Sequence, residues 1–424
     1  MNEIITSETP RREPAYNKIH SRKYKKSMNN YYRNSKILPR IPFINKKVAW
    51  ITSGAPVELL ISAGVIVLYP ENYAAIVGGS KQSVKACQVA ENEGFSNELC
   101  SYARCHLGTV FKPSESLMNG LSKPDFLVSC NNICGTVEKW FQAISEYYEI
   151  PHFYFDTPPT IISQEKHVYE YVRSQLLDYI EFIEEQTDKK LSEKKVVKTF
   201  HLSNQATKLW IEILESSKNK PAPLNCPDRF ITMGPVVTQR GKQQTVEVYQ
   251  ELLAEVNNRI SRGIGALKKE KIRLLWDNIA IWYNLYPFFN ELGKRGIGFP
   301  VDTYTHAWNM TMEVTDLNSA IDASAKVYSQ VYLNQDLNYR IDLISRLIEE
   351  YKCDGFVLHS NKACKRYSMG MLPYKKAITK RTGVPGVIID GDMVDERNFS
   401  AEQTKTRIES LIEIIENNQQ NEDK

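Results

Sequence analysis

Lys47-Val-Ala-Trp-Ile-Thr52, followed at once by Ser53-Gly-Ala-Pro56, decides the fold of this chain. A short apolar run bounded by a turn reads as a buried strand. Gly54-Ala-Pro56 turns the chain into a helix with Glu58 in its first turns, where an acid suits the helix macrodipole. The same rhythm repeats outward. Gly64-Val-Ile-Val-Leu-Tyr69 is a second strand, Ser80 to Glu93 a helix and Asp125-Phe-Leu-Val-Ser129 a third strand. Residues 136–148 form an amphipathic helix, and residues 150–155 a fourth strand stopped by Asp156-Thr-Pro-Pro159. Strands alternating with helices predict a parallel α/β domain.

Farther along, long helical patterns dominate (Val168–Glu185, Val196–Leu214, Val246–Arg259), interrupted by the loop Pro221–Pro227. Alternation returns with strands at Ile272–Trp276, Ile297–Pro300, Gly355–Leu358 and Gly386–Ile389, and a final helix Ala401–Glu416 follows Ser400. The expected plan is a basic arm over residues 1–46, an α/β domain over 47–160, a helical region over 161–270 and a second α/β domain over 271–424. The fold class is α/β, with two parallel-sheet domains.

The composition is that of an ordinary folded protein: 424 residues, 42% hydrophobic and 25% charged. No stretch approaches the roughly 18 apolar residues needed to span a bilayer. The net charge is +4, but residues 1–47 hold twelve Lys/Arg against three Glu, a balance of +9, so the rest carries −5. Tyr16, Tyr24, Tyr31 and Tyr32 interleave with that basic segment. A partly ordered arm lying on a partner subunit is expected there, rather than a nucleic-acid site. The N-terminus is polar and basic without an apolar core, which predicts a cytoplasmic chain whose eight cysteines stay reduced.

Ligands of open parallel sheets bind beyond the carboxyl ends of the strands. Ser53 ends the first strand, Glu71 follows the second, Cys130 and Cys134 follow the third, and Asp156 the fourth. In the second α/β domain His359, Asn361 and Cys364 follow one strand and Asp390-Gly-Asp392 another. A cleft between the two domains would make one site of them. Cys100 and Cys105, and Cys130 and Cys134, lack CxxC spacing, so zinc ribbons fit poorly. Buried structural cysteines, or a cluster held by scattered thiolates across domains, both remain open. There is no GxxxxGK[ST] phosphate loop, no GxGxxG and no HExxH.

Several stretches together resemble the 2-hydroxyacyl-CoA dehydratase and benzoyl-CoA reductase family, and its alpha-type dehydratase subunits most. They are Thr52-Ser-Gly-Ala-Pro-Val-Glu58, Leu68-Tyr-Pro-Glu-Asn72, Leu99-Cys-Ser-Tyr-Ala-Arg104 and Cys130-Asn-Asn-Ile-Cys134 with Lys139-Trp140. Thr303-Tyr-Thr-His-Ala-Trp308, His359-Ser-Asn-Lys-Ala-Cys-Lys365, and Asp390-Gly-Asp392 with Arg397-Asn-Phe-Ser400 continue the series. The resemblance implies a four-iron, four-sulfur cluster on Cys100, Cys134 and Cys364, with the fourth iron open. Cys87, Cys105, Cys226 and Cys353 fall outside the pattern, and Cys130 stands beside it.

The same resemblance implies a hydro-lyase that removes water from an (R)-2-hydroxyacyl-CoA through a one-electron ketyl radical, giving a 2-enoyl-CoA. It places Ser53 at the substrate hydroxyl and Glu71 as its proton-handling partner. Ser53 is equally placed to cap the next helix, and Glu71 to act as a first-turn carboxylate. His306 and His359 read as satisfied structural histidines at least as well as site residues. The implied partners are a homologous beta-type subunit in a heterodimer and a separate ATP-dependent iron–sulfur activator. The alternatives are a benzoyl-CoA reductase-type subunit or a non-catalytic scaffold subunit of the same complex.

Overall fold

A computed structural model describes residues 19, 21–41, 46–159 and 165–422. Residues 1–18 of the basic arm, Tyr16 among them, and residues 20 and 42–45 thus lie outside the described residues. The described part of the arm is mainly one helix, α1 (Arg22–Ile37), opened by Ser21, whose hydroxyl accepts from the Tyr24 amide at 2.9 Å. This helix packs on its own chain: the Tyr31 hydroxyl donates to the Val67 carbonyl at 2.9 Å, and the Ser27 hydroxyl to Gln239 at 3.2 Å.

The first half builds β1 (Val48–Ile51), α2 (Val57–Ser62), β2 (Ile66–Leu68), α3 (Pro70–Gly79), α4 (Ser83–Asn92), α5 (Ser101–Phe111), β3 (Phe126–Cys130), α6 (Thr136–Tyr148) and β4 (His152–Phe155). The long helices α7 (Lys166–Thr187) and α8 (Glu193–Glu215) follow, then the short α9 (Cys226–Thr232) and α10 (Gly234–Thr238), and α11 (Gln243–Ser261). The second half holds β5 (Ile272–Asp277), α12 (Leu285–Lys294), β6 (Ile297–Asp302), α13 (Thr303–His306), α14 (Leu317–Ser329) and α15 (Leu337–Glu350). It closes with β7 (Gly355–Asn361), α16 (Lys365–Ser368), α17 (Met371–Thr382), β8 (Gly386–Gly391) and α18 (Ala401–Glu422). Among the described residues no helix is long and apolar enough to cross a membrane.

Both sheets are parallel, and they share one strand order: β2-β1-β3-β4 and β6-β5-β7-β8. The strands are apolar runs because helices cover both faces; all four residues of β1 are buried. On α6, Val137, Trp140, Phe141 and Ile144 recur at helical spacing and form its buried stripe. Helices α7, α8 and α14 together cover one face of the first sheet through Val172, Leu176, Val196, Ile321 and Tyr328. The other face belongs to a core that runs into the second half, joining Trp50 and Leu127 to Ile279, Ala363, Tyr367 and Met393.

Helices α3 and α5 are additions to the sequence reading. Each is buried on nearly every side, so neither carries the polar face from which helical periodicity is recognised. Helices α4 and α5 approach so closely at Gly108 that a Cβ there would sit 1.8 Å from the Ala86 carbonyl oxygen. Gly108→Ala is therefore expected to destabilise the fold by about 1–3 kcal/mol. Gly79→Ala, whose Cβ would meet nothing within 4 Å, is expected to be neutral or slightly stabilising. Equilibrium denaturation of the two variants checks the contrast, and equal stabilities would refute the close contact.

Candidate active site

In each sheet the chain steps from the first strand to one neighbour and later to the other, so each sheet has a switch point at its carboxyl edge. The first lies between β1 and β3, the second between β5 and β7. The loops leaving these four strands meet around one cavity of about 210 Å³. Ser53 follows β1, Cys134 follows β3, Ile279 follows β5 and Cys364 follows β7, and all four line it. Glu71, in the first turn of α3, and Cys100, immediately before α5, complete the set. The structure thus brings together the five residues singled out from the sequence: Ser53, Glu71, Cys100, Cys134 and Cys364. The remaining lining is largely aromatic and aliphatic, including Tyr102, Trp140, Tyr304, Trp308, Tyr332 and Tyr367.

Each of the three cysteines precedes a helix. Cys100 and Cys364 are the N-cap residues of α5 and α16, and the Thr136 amide, first of α6, donates to Cys134 Sγ at 3.2 Å. Helix N-termini and their amides favour thiolates. Burial opposes them: it pushes the Cys364 thiol up to about 12 and Cys100 well above its usual range, and the neighbouring cysteines raise both further. Thiols raised in this way become thiolates only around a strongly cationic group. Among the described residues no three His, Cys, Asp or Glu side chains converge on a point suited to a single metal ion. Thiolates on a multi-iron cluster each bind a different iron, so they ring the group instead of converging. This donor set fits an iron–sulfur cluster.

The Ser53 amide donates to Glu71 Oε1 at 3.0 Å, while Glu71 Oε2 is buried without a partner. Burial raises the Glu71 pKa to about 7, against the pull of the Ser53 amide and hydroxyl. Helix α2 starts at Val57 behind Pro56, so the Ser53 side chain caps no helix. A second cavity of about 300 Å³ shares Ser53, Glu71, Tyr304 and Trp308 with the first and is walled on its far side by Tyr24 and Met28 of α1. Those four shared residues form the partition between the cavities.

Other candidates take scaffold positions. Cys130 is buried at the end of β3, its amide bonded to Thr52 Oγ1 at 3.1 Å, and does not line the cavity. Cys87, Cys105, Cys226 and Cys353 are likewise buried. His306 Nδ1 lies 2.8 Å from the Asp302 carbonyl and His359 Nδ1 2.8 Å from that of Ile279; burial holds both rings near pKa 4. Asp392 and Arg104 join the halves. The Ser101 hydroxyl donates to Asp392 at 2.6 Å, and Arg104 binds Glu91 at 2.6 Å and Asp395 at 2.9 Å. Asp156 receives the Tyr171 hydroxyl at 2.8 Å.

Sequence reasoning assigned no role to Tyr304 or Trp308, although both stand in a quoted stretch. It also read Glu58 as a helix-dipole acid. Glu58 is fully buried instead, with the Ser203 hydroxyl at 2.8 Å, the Tyr328 hydroxyl at 2.5 Å and Arg240 at 3.8 Å.

The family described as 2-hydroxyglutaryl-CoA dehydratase, D-component, matches residues 52–415. The chain is 32% identical to the (R)-2-hydroxyisocaproyl-CoA dehydratase alpha subunit of Clostridioides difficile, over 88% of this chain and 90% of that protein. It is 32% identical to the (R)-phenyllactyl-CoA dehydratase alpha subunit of Clostridium sporogenes, over 87% and 90% of the two chains. A benzoyl-CoA reductase subunit of Thauera aromatica is 28% identical, over 88% and 89%.

Because the folded protein favours the neutral Glu71 side chain, its contribution to stability is complete below about pH 4.5 and is lost as pH rises through about 7. Relative to Glu71→Gln, the wild type should lose on the order of 3 kcal/mol across that window and then level off. Denaturation curves of both proteins at several pH values check this; a wild type that gains stability over Glu71→Gln on rising pH contradicts it.

Proposed function

This chain belongs to the 2-hydroxyglutaryl-CoA dehydratase D-component family, and from that premise we propose that it is the iron–sulfur subunit of an (R)-2-hydroxyacyl-CoA dehydratase, a hydro-lyase forming a 2-enoyl-CoA. One observation carries the reading: Ser53, Glu71 and the thiols of Cys100, Cys134 and Cys364 line a single cavity at the facing carboxyl edges of two parallel sheets. In a subunit that only supports a partner, nothing would require a buried acid with a free oxygen beside three thiols. The relatives named as alpha subunits support a heterodimer with a homologous beta-type subunit. The missing phosphate loop supports a separate ATP-dependent activator. The reaction is assigned to the cytoplasm.

Cys100, Cys134 and Cys364 would hold a four-iron, four-sulfur cluster. A cluster held there would supply one-electron reduction and Lewis-acid polarisation of a thioester carbonyl, the chemistry that a ketyl-radical elimination requires. The protein's own contribution is made at the hydroxyl that leaves. The Ser53 hydroxyl donates a hydrogen bond to that oxygen and orients it. Glu71, with a pKa near 7 and Oε2 unpartnered, carries a proton over a large fraction of molecules at neutral pH and delivers it to the departing oxygen. The hydrogen bond donated by the Ser53 backbone amide fixes the carboxyl while this happens. The aromatic walls keep water from the reacting carbon and strengthen each of these polar contacts.

Anaerobically purified protein should contain about four irons per chain. Cys100→Ala, Cys134→Ala and Cys364→Ala should each remove most of the iron, and Cys130→Ala little of it. Iron loss confined to Cys130→Ala, or colourless wild-type protein, would defeat the cluster assignment. In the heterodimer with activator, Ser53→Ala and Glu71→Gln should keep their iron yet lose roughly 10²-fold or more in turnover. Affinity for the CoA ester should fall much less, because most binding energy comes from the CoA moiety. Near-normal turnover in both variants would return the two residues to a structural role.

A further inference from the structure

The dehydratase reading leaves the acyl group open, and the walls of its site narrow the choice. Resting on that reading, we infer that the substrate's acyl side chain is bulky and uncharged: a branched aliphatic or aryl group, not a methyl group or a second carboxylate. The lining that the cavity presents besides its polar residues includes Ile133, Trp308, Met310, Val331 and Leu333. Ile133 sits hard against the catalytic loop, since a Cβ on Gly54 would lie 2.7 Å from its Cγ2. A side chain on the carbon held at Ser53 therefore meets hydrocarbon first.

Charge complementarity points the same way. Among the described residues lining the cavity, Lys365 is the one cation, and it is exposed at the mouth. The second cavity, which shares Ser53 and Glu71, is lined by no Lys, Arg or His among the described residues. Four guanidinium groups touch wall residues from behind: Arg104 donates to the Leu99 carbonyl at 3.1 Å and pairs with Glu91 and Asp395, Arg366 donates to the Leu333 carbonyl at 2.6 Å, and the other two, Arg240 and Arg340, each face a buried carboxylate. Arg240 stacks over Trp308 at 5.4 Å and faces Glu58 at 3.8 Å. Arg340 lies 5.6 Å over Tyr332 and 5.4 Å over Tyr367 and faces Asp277 at 3.6 Å. A terminal carboxylate in the cavity would thus find no cation but the exposed Lys365, beside an acid whose own charged form desolvation already disfavours. A methyl side chain would leave the same wall without contacts, and each methylene missing from an apolar pocket costs roughly 10- to 200-fold.

The test is a panel of four CoA esters offered to the iron-loaded heterodimer: (R)-2-hydroxyisocaproyl-, (R)-phenyllactyl-, (R)-lactoyl- and (R)-2-hydroxyglutaryl-CoA. Binding is read by calorimetry without the activator, and turnover as enoyl-CoA formed with it. The first two esters should bind at least about tenfold more tightly than the last two and exceed them by about 10²-fold or more in kcat/KM. Equal or tighter binding of the lactoyl or hydroxyglutaryl ester would overturn the inference. The expected binding order with no enoyl-CoA formed from any ester would support the inference about the cavity and sink the dehydratase reading instead.

Discussion

A parallel sheet offers its ligand one kind of place, beyond the carboxyl ends of the strands where the winding direction reverses. Two sheets of the same strand order, with those edges turned toward each other, therefore enclose a single site. Everything else in the chain serves that arrangement. Cys134 and Cys364 occupy matching positions, each a few residues past the third strand of its sheet. Cys100 breaks the match, standing between α4 and the buried α5, which the first half inserts between its second and third strands.

A cavity of this kind has a steep electrostatic cost, since any charge within it loses its hydration. The chain meets that cost by keeping its buried charges behind the walls in neutralised sets. Glu58, Arg240 and Tyr328 form one such set in the first half; Asp277, Arg340 and Tyr332 form another in the second. Among the described residues only Glu71 enters the cavity as a buried acid. Its raised pKa is the direct result of the apolar surroundings, so the features that make the walls oily also make this carboxyl a proton carrier near neutral pH.

The eight strands were legible because buried parallel strands are short apolar runs bounded by Gly, Pro and Asp. Ser53, Glu71, Cys134 and Cys364, just past strand ends, were singled out by the topology and the family resemblance together, and Cys100, before a helix, by the resemblance alone. What stayed hidden has physical causes. Helices α3 and α5 lack a polar face, so periodicity is silent about them. Glu58 lies in the first turn of its helix, and nothing local shows that Arg240, Ser203 and Tyr328 converge on it from far along the chain. The basic arm read as a partly ordered arm on a partner subunit because its lysines and arginines dominate the composition. Its buried stripe joins a single large side chain, Tyr31, to Ser27 and Ser35, which is a weak signal for a helix that docks. The second cavity is formed by elements distant in sequence and had no signature at all.

The seam through Ser101–Asp392 and Arg104–Asp395 carries a consequence for how the protein is made. These bonds fix the helix that follows Cys100 to the loop after β8, using side chains of the protein alone. Each contact joins residues 291 positions apart in the chain, so it closes only once both halves have come together, and Cys100 takes its place beside the second half in that same step.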